Sequence, residues 1–292
     1  GSGKSMTAAT LMGMIPQPGS LRQGHIWFQG QDLAHLSNRG WQRVRGKEIG
    51  MIFQEPQSAL NPVLRVGEQI AEPMQVHLGI TRAQAKQRAL DLLHQVGMTQ
   101  PERVYSAYPH QLSGGMAQRA VIARALSCNP KLLIADEPTT ALDVTTQAQI
   151  LELLEDLQAR YGMAILLISH DLGVIGRLCR RTAVMYGGEI VEQGPTQALF
   201  SDPQHPYTLK LLQTMPQNHP PGQVLPTIKG HVAPLHSLPT GCHFHPRCRF
   251  ADDACRQGAI AMQHLGAGRS SRCIHIERLT EDGDKEGDHV AH

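Results

Sequence analysis

The chain opens on Gly1-Ser2-Gly3-Lys4-Ser5, the tail of the phosphate-binding pattern G-x-x-x-x-G-K-[ST]. Successive backbone N–H groups at Gly1, Ser2, Gly3, Lys4 and Ser5, with Met6 behind them, can wrap a phosphate, and the helix that follows turns its positive end toward it. Lys4 is suited to neutralising β- and γ-phosphate charge, and the Ser5 hydroxyl to ligating Mg²⁺. By itself the pentapeptide also reads as an ordinary glycine-rich turn. The first glycine of the pattern and the strand that feeds it are not in the sequence, so an N-terminal truncation of a longer protein is expected.

Two further stretches carry chemistry. Leu132-Leu133-Ile134-Ala135-Asp136-Glu137 is an apolar run ending in adjacent carboxylates. A strand end is where ligands sit in a parallel α/β sheet. There Asp136 suits a magnesium role and Glu137 a general base acting on water; two acids opening a helix before Pro138 are the plain alternative. Leu112-Ser113-Gly114-Gly115-Met116-Ala117-Gln118-Arg119 places two glycines and a capping serine at a helix start. Backbone there can approach an anion closely, although an ordinary capped helix has the same residues. Two anion-binding helix ends more than 100 residues apart in one chain need a common explanation.

The elements that must hold these residues follow from periodicity. Residues 5–15 read as the helix behind the loop, ended by Pro16 and Pro18. Residues 24–30 and 48–53 read as strands, within an antiparallel β part near 21–53. From 58 to 128 the pattern is helical, with Ala85, Ala89, Leu92, Leu93 and Val96 forming a stripe over 81–96. The runs 132–135 and 164–169 read as buried parallel strands around a helix at 145–160, a right-handed βαβ unit. Segments 183–186 and 189–192 flank Gly187-Gly188 as a hairpin. After residue 200 nine prolines break any long element, so a linker or an irregular module is expected. A tail over 279–292 reads as disordered.

Bulk properties narrow the class. The 292 residues carry a net charge of +2, 41% hydrophobic residues and only 4% aromatic ones. No basic field or stacking surface argues for nucleic acid. No apolar run reaches the roughly 18–20 residues needed to span a bilayer, so any membrane span must come from other subunits.

Taken together, the chain resembles the nucleotide-binding subunit of an ABC transporter. Leu112–Arg119 matches that family's signature motif, Gln54 its Q-loop glutamine, Asp136-Glu137 its Walker B pair, Ala141-Leu142-Asp143 its D-loop and His170 its switch histidine. The resemblance implies an α/β P-loop NTPase core with a parallel sheet, an antiparallel β part, a helical subdomain and a small C-terminal cysteine-containing module. The implied domains are 1–57 and 129–200 for the ATP-binding core, 58–128 for the helical subdomain and 201–278 for the C-terminal module. It implies head-to-tail dimers in which each ATP lies between the phosphate loop of one subunit and the signature helix of the other. Glu137, His170 and Gln54 are the implied catalytic set. Gly1–Met6, Gln54, Ser113, Gly114, Gly115, Gln118, Asp136 and Asp143 are the implied nucleotide contacts. Ser5, Gln54 and Asp136 are the implied magnesium site.

Gln54–Pro62 resembles the stretch after the Q-loop in peptide and nickel importer ATPases, and His205-Pro206-Tyr207-Thr208 resembles the C-terminal extension of that group. The implied activity is ATP hydrolysis driving uptake of oligo- or dipeptides, with ATP and Mg²⁺ as cofactors. The implied partners are a second ATP-binding subunit, identical or related, two membrane permeases and, indirectly, a substrate-binding protein. The implied location is peripheral, on the cytoplasmic face of the inner membrane. Nickel, glutathione or an opine remain open as solutes. A soluble ABC-type scaffold in a phosphonate-degrading complex is the alternative. A DNA-repair or translation ATPase is disfavoured, because no coiled-coil insertion or tandem cassette is present.

Cys242, Cys248, Cys255 and Cys273 are separated by five, six and seventeen residues, unlike C-x-x-C zinc spacing. Four thiolates from loops suit a [4Fe–4S] cluster, which the resemblance associates with this extension. Zinc, or no metal, stays open. Cys128 and Cys179 read as buried small hydrophobes.

Overall fold

The computed structural model describes residues 2–220 and 222–279. Gly1 and the tail expected to be disordered fall outside these residues, apart from Leu279, which is buried. Two compact units divide the chain: Ser5–His170, and Asp171 onward together with the residues before Ser5. No helix among the described residues is long and apolar enough to cross a membrane.

The Ser5–His170 unit is built from α1 (Lys4–Leu11, its first residue counted with the other unit), β1 (Trp27–Phe28), β2 (Gln31–Asp32), α2 (Asn38–Val44), β3 (Ile49–Ile52), α3 (Pro56–Ala59), α4 (Val66–Leu78), α5 (Arg82–Gln95), α6 (Pro101–Ser106), α7 (Gly114–Leu126), β4 (Leu132–Asp136), α8 (Val144–Tyr161) and β5 (Ala164–Ile168). Strands β3, β4 and β5 form a parallel sheet in that order. Side chains alternate across a strand, and β4 shows it. Leu133 and Ala135 enter a core shared with α4, α5, α7 and α8, while Ile134 enters a second core with Ala8, Met12, Trp41 and Ile49. The carboxylates at the end of β4 therefore stand on a strand gripped from both faces.

Three expectations shift. The helix behind the phosphate loop stops at Leu11 rather than running on to Pro16. Gly13, at φ +59°, lets its N–H reach the Thr10 carbonyl while the Met14 N–H reaches that of Ala9, a Schellman stop that needs no proline. The antiparallel β part shrinks to β1 and β2, because β3 pairs with β4 in parallel. Strand β5 is not buried throughout: Ala164 and Leu166 are exposed, on the face opposite the one through which Ile165 and Leu167 pack against the core.

The helical region matches its stripe. Thr81 caps α5 in a capping box with Gln84, and Ala85, Ala89, Leu92, Leu93 and Val96 are all buried. In α4, a Cβ on Gly67 would overlap the Tyr105 ring. Alanine there gains about 1 kcal/mol of helix propensity but overpacks by about 1–3 kcal/mol. Gly67→Ala is expected to lower the melting temperature, and adding Tyr105→Ala should recover part of the loss that the two single changes sum to. A higher melting temperature for Gly67→Ala alone would contradict this packing.

The second unit contains α9 (Leu172–Leu178), β6 (Arg181–Tyr186), β7 (Glu189–Pro195), α10 (Thr196–Ser201), α11 (Pro206–Gln213), β8 (Gln263–Gly266) and β9 (Arg269–Ser271). The β6–β7 hairpin turns at Gly187-Gly188, as expected. Beyond residue 200 the chain is more than a linker: β9 pairs with β7 and β8 with β9, giving a sheet of order β6-β7-β9-β8. Tyr186, Val191, Leu199 and Phe244 form its core, with Tyr186 and Phe244 edge to face at 5.1 Å.

Candidate functional site

The strand end organises the first site. Asp136 is 5% exposed, and its Oδ1 accepts a 3.3 Å hydrogen bond from the Ser5 hydroxyl across 131 residues of chain. Two adjacent ligands of an octahedral Mg²⁺ lie about 3 Å apart, so this serine and carboxylate are spaced to share one ion. Lys4, immediately before Ser5, places Nζ 3.3 Å from the Ser2 hydroxyl. The Ser2 carbonyl accepts from the Gly188 N–H, and Gly3 has φ +97°.

Glu137 follows with φ +48°, a left-handed conformation rare for a residue with a Cβ. Strain of this kind persists only where the surroundings enforce it. Here the Glu137 N–H is tied to the Ile168 carbonyl on β5. Its carboxylate Oε2 accepts from Gln54 Nε2 at 3.1 Å and Thr140 Oγ1 at 3.0 Å, and lies 3.4 Å from His170 Nδ1. Gln54, Glu137 and His170, drawn from three separated segments, thus meet at one oxygen. Thr140 joins them without having been singled out in the sequence. Its signal was local: a hydroxyl three residues past the acid, inside the turn that Pro138 starts.

At the start of α7, Ser113 is the N-cap and accepts from the Met116 N–H at 3.3 Å. Gly114 and Gly115 keep this turn thin against the start of α8: a Cβ on Gly115 would stand 2.8 Å from Thr146 Cγ2, and one on Gly114 3.6 Å from Leu142. Asp143 caps α8, accepting from the Thr146 N–H at 2.9 Å and its hydroxyl at 2.7 Å. Those bonds hold the Asp143 carboxyl below its ordinary range. Gln118 departs from expectation. It is 1% exposed, with its amide nitrogen unpartnered inside α7's packing, so a nucleotide at the surface does not reach it. Helix periodicity explains this, because Gln118 falls on the same buried face as Val121, Ile122 and Ala125. Met6 is half exposed on α1.

A second cluster lies in the other unit. Cys242, Cys248, Cys255 and Cys273 line one small cavity with Phe244 and the buried His205. The Cys242 N–H donates to the Cys255 carbonyl at 2.9 Å, joining two of the loops. Burial pushes the thiols of Cys248 up to about 11 and Cys273 up to about 12, with the neighbouring thiols adding to the effect. Cys242 is raised for the same reasons. Burial also pushes His205 down to about 3, and its Nε2 has no partner. Cys128 is buried, whereas Cys179 is only half-buried at the end of α9.

The chain matches the ABC transporter family over residues 1–140 and the oligopeptide/dipeptide transporter C-terminal region over residues 191–255. The dipeptide transport ATP-binding protein DppD of Escherichia coli is 46% identical over 273 residues, covering 94% of this chain and 84% of DppD. The oligopeptide transport ATP-binding protein AppD of Bacillus subtilis is 47% identical over 278 residues, covering 95% and 85%. Among solved structures, the post-hydrolysis dimer of the ATP-binding cassette MJ0796 bound to ADP and Pi aligns with a TM-score of 0.59 and 28% identity, covering 67% of this chain and 81% of that one. Close to half of its residues are thus shared with DppD and AppD along most of their lengths, and the chain belongs to the ATP-binding subunits of the ABC transporter family, in the group that carries the oligopeptide/dipeptide transporter C-terminal region.

Proposed function

We propose that this chain hydrolyses ATP to drive uptake of oligo- or dipeptides through partner permeases. The observation that carries the enzymatic part is the convergence of Gln54, Thr140 and His170 on the Glu137 carboxylate. Glu137 takes the proton from a water whose oxygen attacks the γ-phosphorus, and the bond to the ADP oxygen breaks. Gln54 and Thr140 donate to the carboxylate and fix its aim. His170 stands beside the same oxygen, placed to report the γ-phosphate. Lys4 carries the countercharge, and Ser5 and Asp136 would hold Mg²⁺, which would supply further charge neutralisation. Ser113, Gly114 and Gly115 offer their turn to the triphosphate of a partner subunit. On this reading residues 1–57 and 129–200 are the ATP-binding core and 58–128 the subdomain that meets the permeases. Val63, Leu64 and Val76 are exposed there as apolar residues. The chain sits at the membrane through those permeases.

The solute rests on the peptide-transport names of DppD and AppD and on the matched C-terminal region. That region weighs against a phosphonate-complex scaffold. The test is reconstitution of the intact protein with its permeases and binding protein in liposomes: ATP-dependent accumulation of labelled dipeptide is expected. Turnover that no peptide stimulates, with no peptide accumulated, would reject the assignment.

The module over residues 201–278 belongs to the same proposal as a [4Fe–4S] site held by Cys242, Cys248, Cys255 and Cys273, with the cluster supplying a covalent staple for loops that bury little apolar surface. Cys255 also lies within 4.8 Å of donor atoms of Asp252 and His275, a mixed donor set that a single zinc ion would use instead. Because the thiols titrate so high, loading must displace protons and should strengthen as pH rises. Protein purified without oxygen is expected to be brown, and Cys273→Ser to lose the colour and the melting temperature together. Colourless protein with stoichiometric zinc would exclude the cluster.

A further inference from the structure

The β1–β2 hairpin carries a group of ligating side chains that nucleotide chemistry does not use. His25, Asp32 and His35 each offer one donor atom, and the three atoms lie within 4.8 Å of one another. The carboxylate is fixed by the backbone: Asp32 Oδ1 accepts the N–H groups of Ile26 and Ala34, both at 3.0 Å. Pairing of Trp27 with Asp32 and a 2.8 Å bond from the Leu33 N–H to the Ile26 carbonyl hold the two strands in register. That leaves Oδ2 directed at His25 Nδ1, 2.7 Å away. A surface ion pair explains His25 and Asp32 but gives no reason for the second imidazole, whose ring stands edge-on to that of His25 at 6.5 Å. Both histidines are exposed, so an ion reaches them from solvent.

Two imidazoles and one carboxylate form a donor set suited to divalent first-row transition ions and too nitrogen-rich for Mg²⁺ or Ca²⁺. The 2.7 Å between His25 Nδ1 and Asp32 Oδ2 is a hydrogen bond whose proton an ion would displace. We propose that His25, Asp32 and His35 form a site for a divalent first-row transition ion of the Co²⁺ or Ni²⁺ kind, completed by water and sharing no residue with the magnesium or cysteine sites.

Trp27 supplies the reporter. It is 69% exposed, and its ring lies 5.7 Å from that of His25, near enough for a paramagnetic ion to quench its fluorescence. Co²⁺ is titrated into the intact protein, followed by fluorescence, absorbance and calorimetry. One equivalent is expected to quench Trp27, with the weak visible bands of nitrogen and oxygen ligands and no intense thiolate band. His25→Ala and His35→Ala should each weaken that binding by at least about tenfold, and Trp27→Phe should remove the quench while the heat of binding remains. Neither histidine touches the reacting phosphate, so basal ATP turnover in both variants should match the parent. Co²⁺ affinity unchanged in both histidine variants, or a thiolate band as the sole signal, would overturn the site.

Discussion

Glutamine at position 137 is expected to trap an ATP-loaded dimer that turns over at least about a hundredfold more slowly, within the range that loss of a general base produces. The change is nearly isosteric and keeps the same backbone preferences, so the turn at φ +48° should survive. The amide can still meet the Thr140 hydroxyl, which approaches at 3.0 Å in the parent chain. What it cannot do is accept the water proton. Nucleotide affinity and dimer formation should therefore persist while phosphate release stops, a split readable by single-turnover kinetics beside sedimentation with ATP. Parent-like turnover would remove Glu137 from the catalytic role and return the carboxylate to a turn-stabilising one.

Gly115→Asp is the second large effect. It puts a carboxylate at the turn proposed to face a partner's phosphates, in a site where a Cβ already stands 2.8 Å from Thr146 Cγ2. Like-charge repulsion against a triphosphate should prevent dimer closure and abolish turnover, while a single subunit still binds ATP. Steric and electrostatic causes can be separated. Gly115→Ala brings the contact without the charge, and pairing it with Thr146→Ser removes the opposing methyl. That pair is expected to recover most of the activity, whereas Gly115→Asp with Thr146→Ser should stay inactive. Recovery of the aspartate variant by Thr146→Ser would show that packing, not phosphate recognition, is what the glycine serves.

Some elements could be read from residue order because one physical rule dominates each. The stripe of α5 and the apolar run of β4 are periodic, and Ser113 and Thr81 are caps followed by helix formers. The five nucleotide motifs were legible as types, and Gln54, Glu137 and His170 do meet. What escaped was set by tertiary pairing. Gln263–Gly266 and Arg269–Ser271 have no apolar alternation, yet β7 recruits the second of them as a strand and the two pair with each other. The exposure of β5 depends on what packs over its second face, a fact of tertiary structure rather than of its own sequence. Gln118 lay inside a recognised motif, but the helix period turned it into the core. The convergence of four cysteines on one cavity was implied by resemblance alone, since gaps of five, six and seventeen residues carry no geometry of their own.

The most direct measurement is a structure of the full-length Glu137→Gln protein loaded with ATP and Mg²⁺. Each γ-phosphate is expected within hydrogen-bonding distance, about 3 Å, of Lys4 from one subunit and of the Ser113 hydroxyl and Gly115 N–H from the other. A dimer whose Ser113–Gly115 turns point away from both nucleotides would contradict the shared-site motor and leave a phosphate-binding loop without its partner.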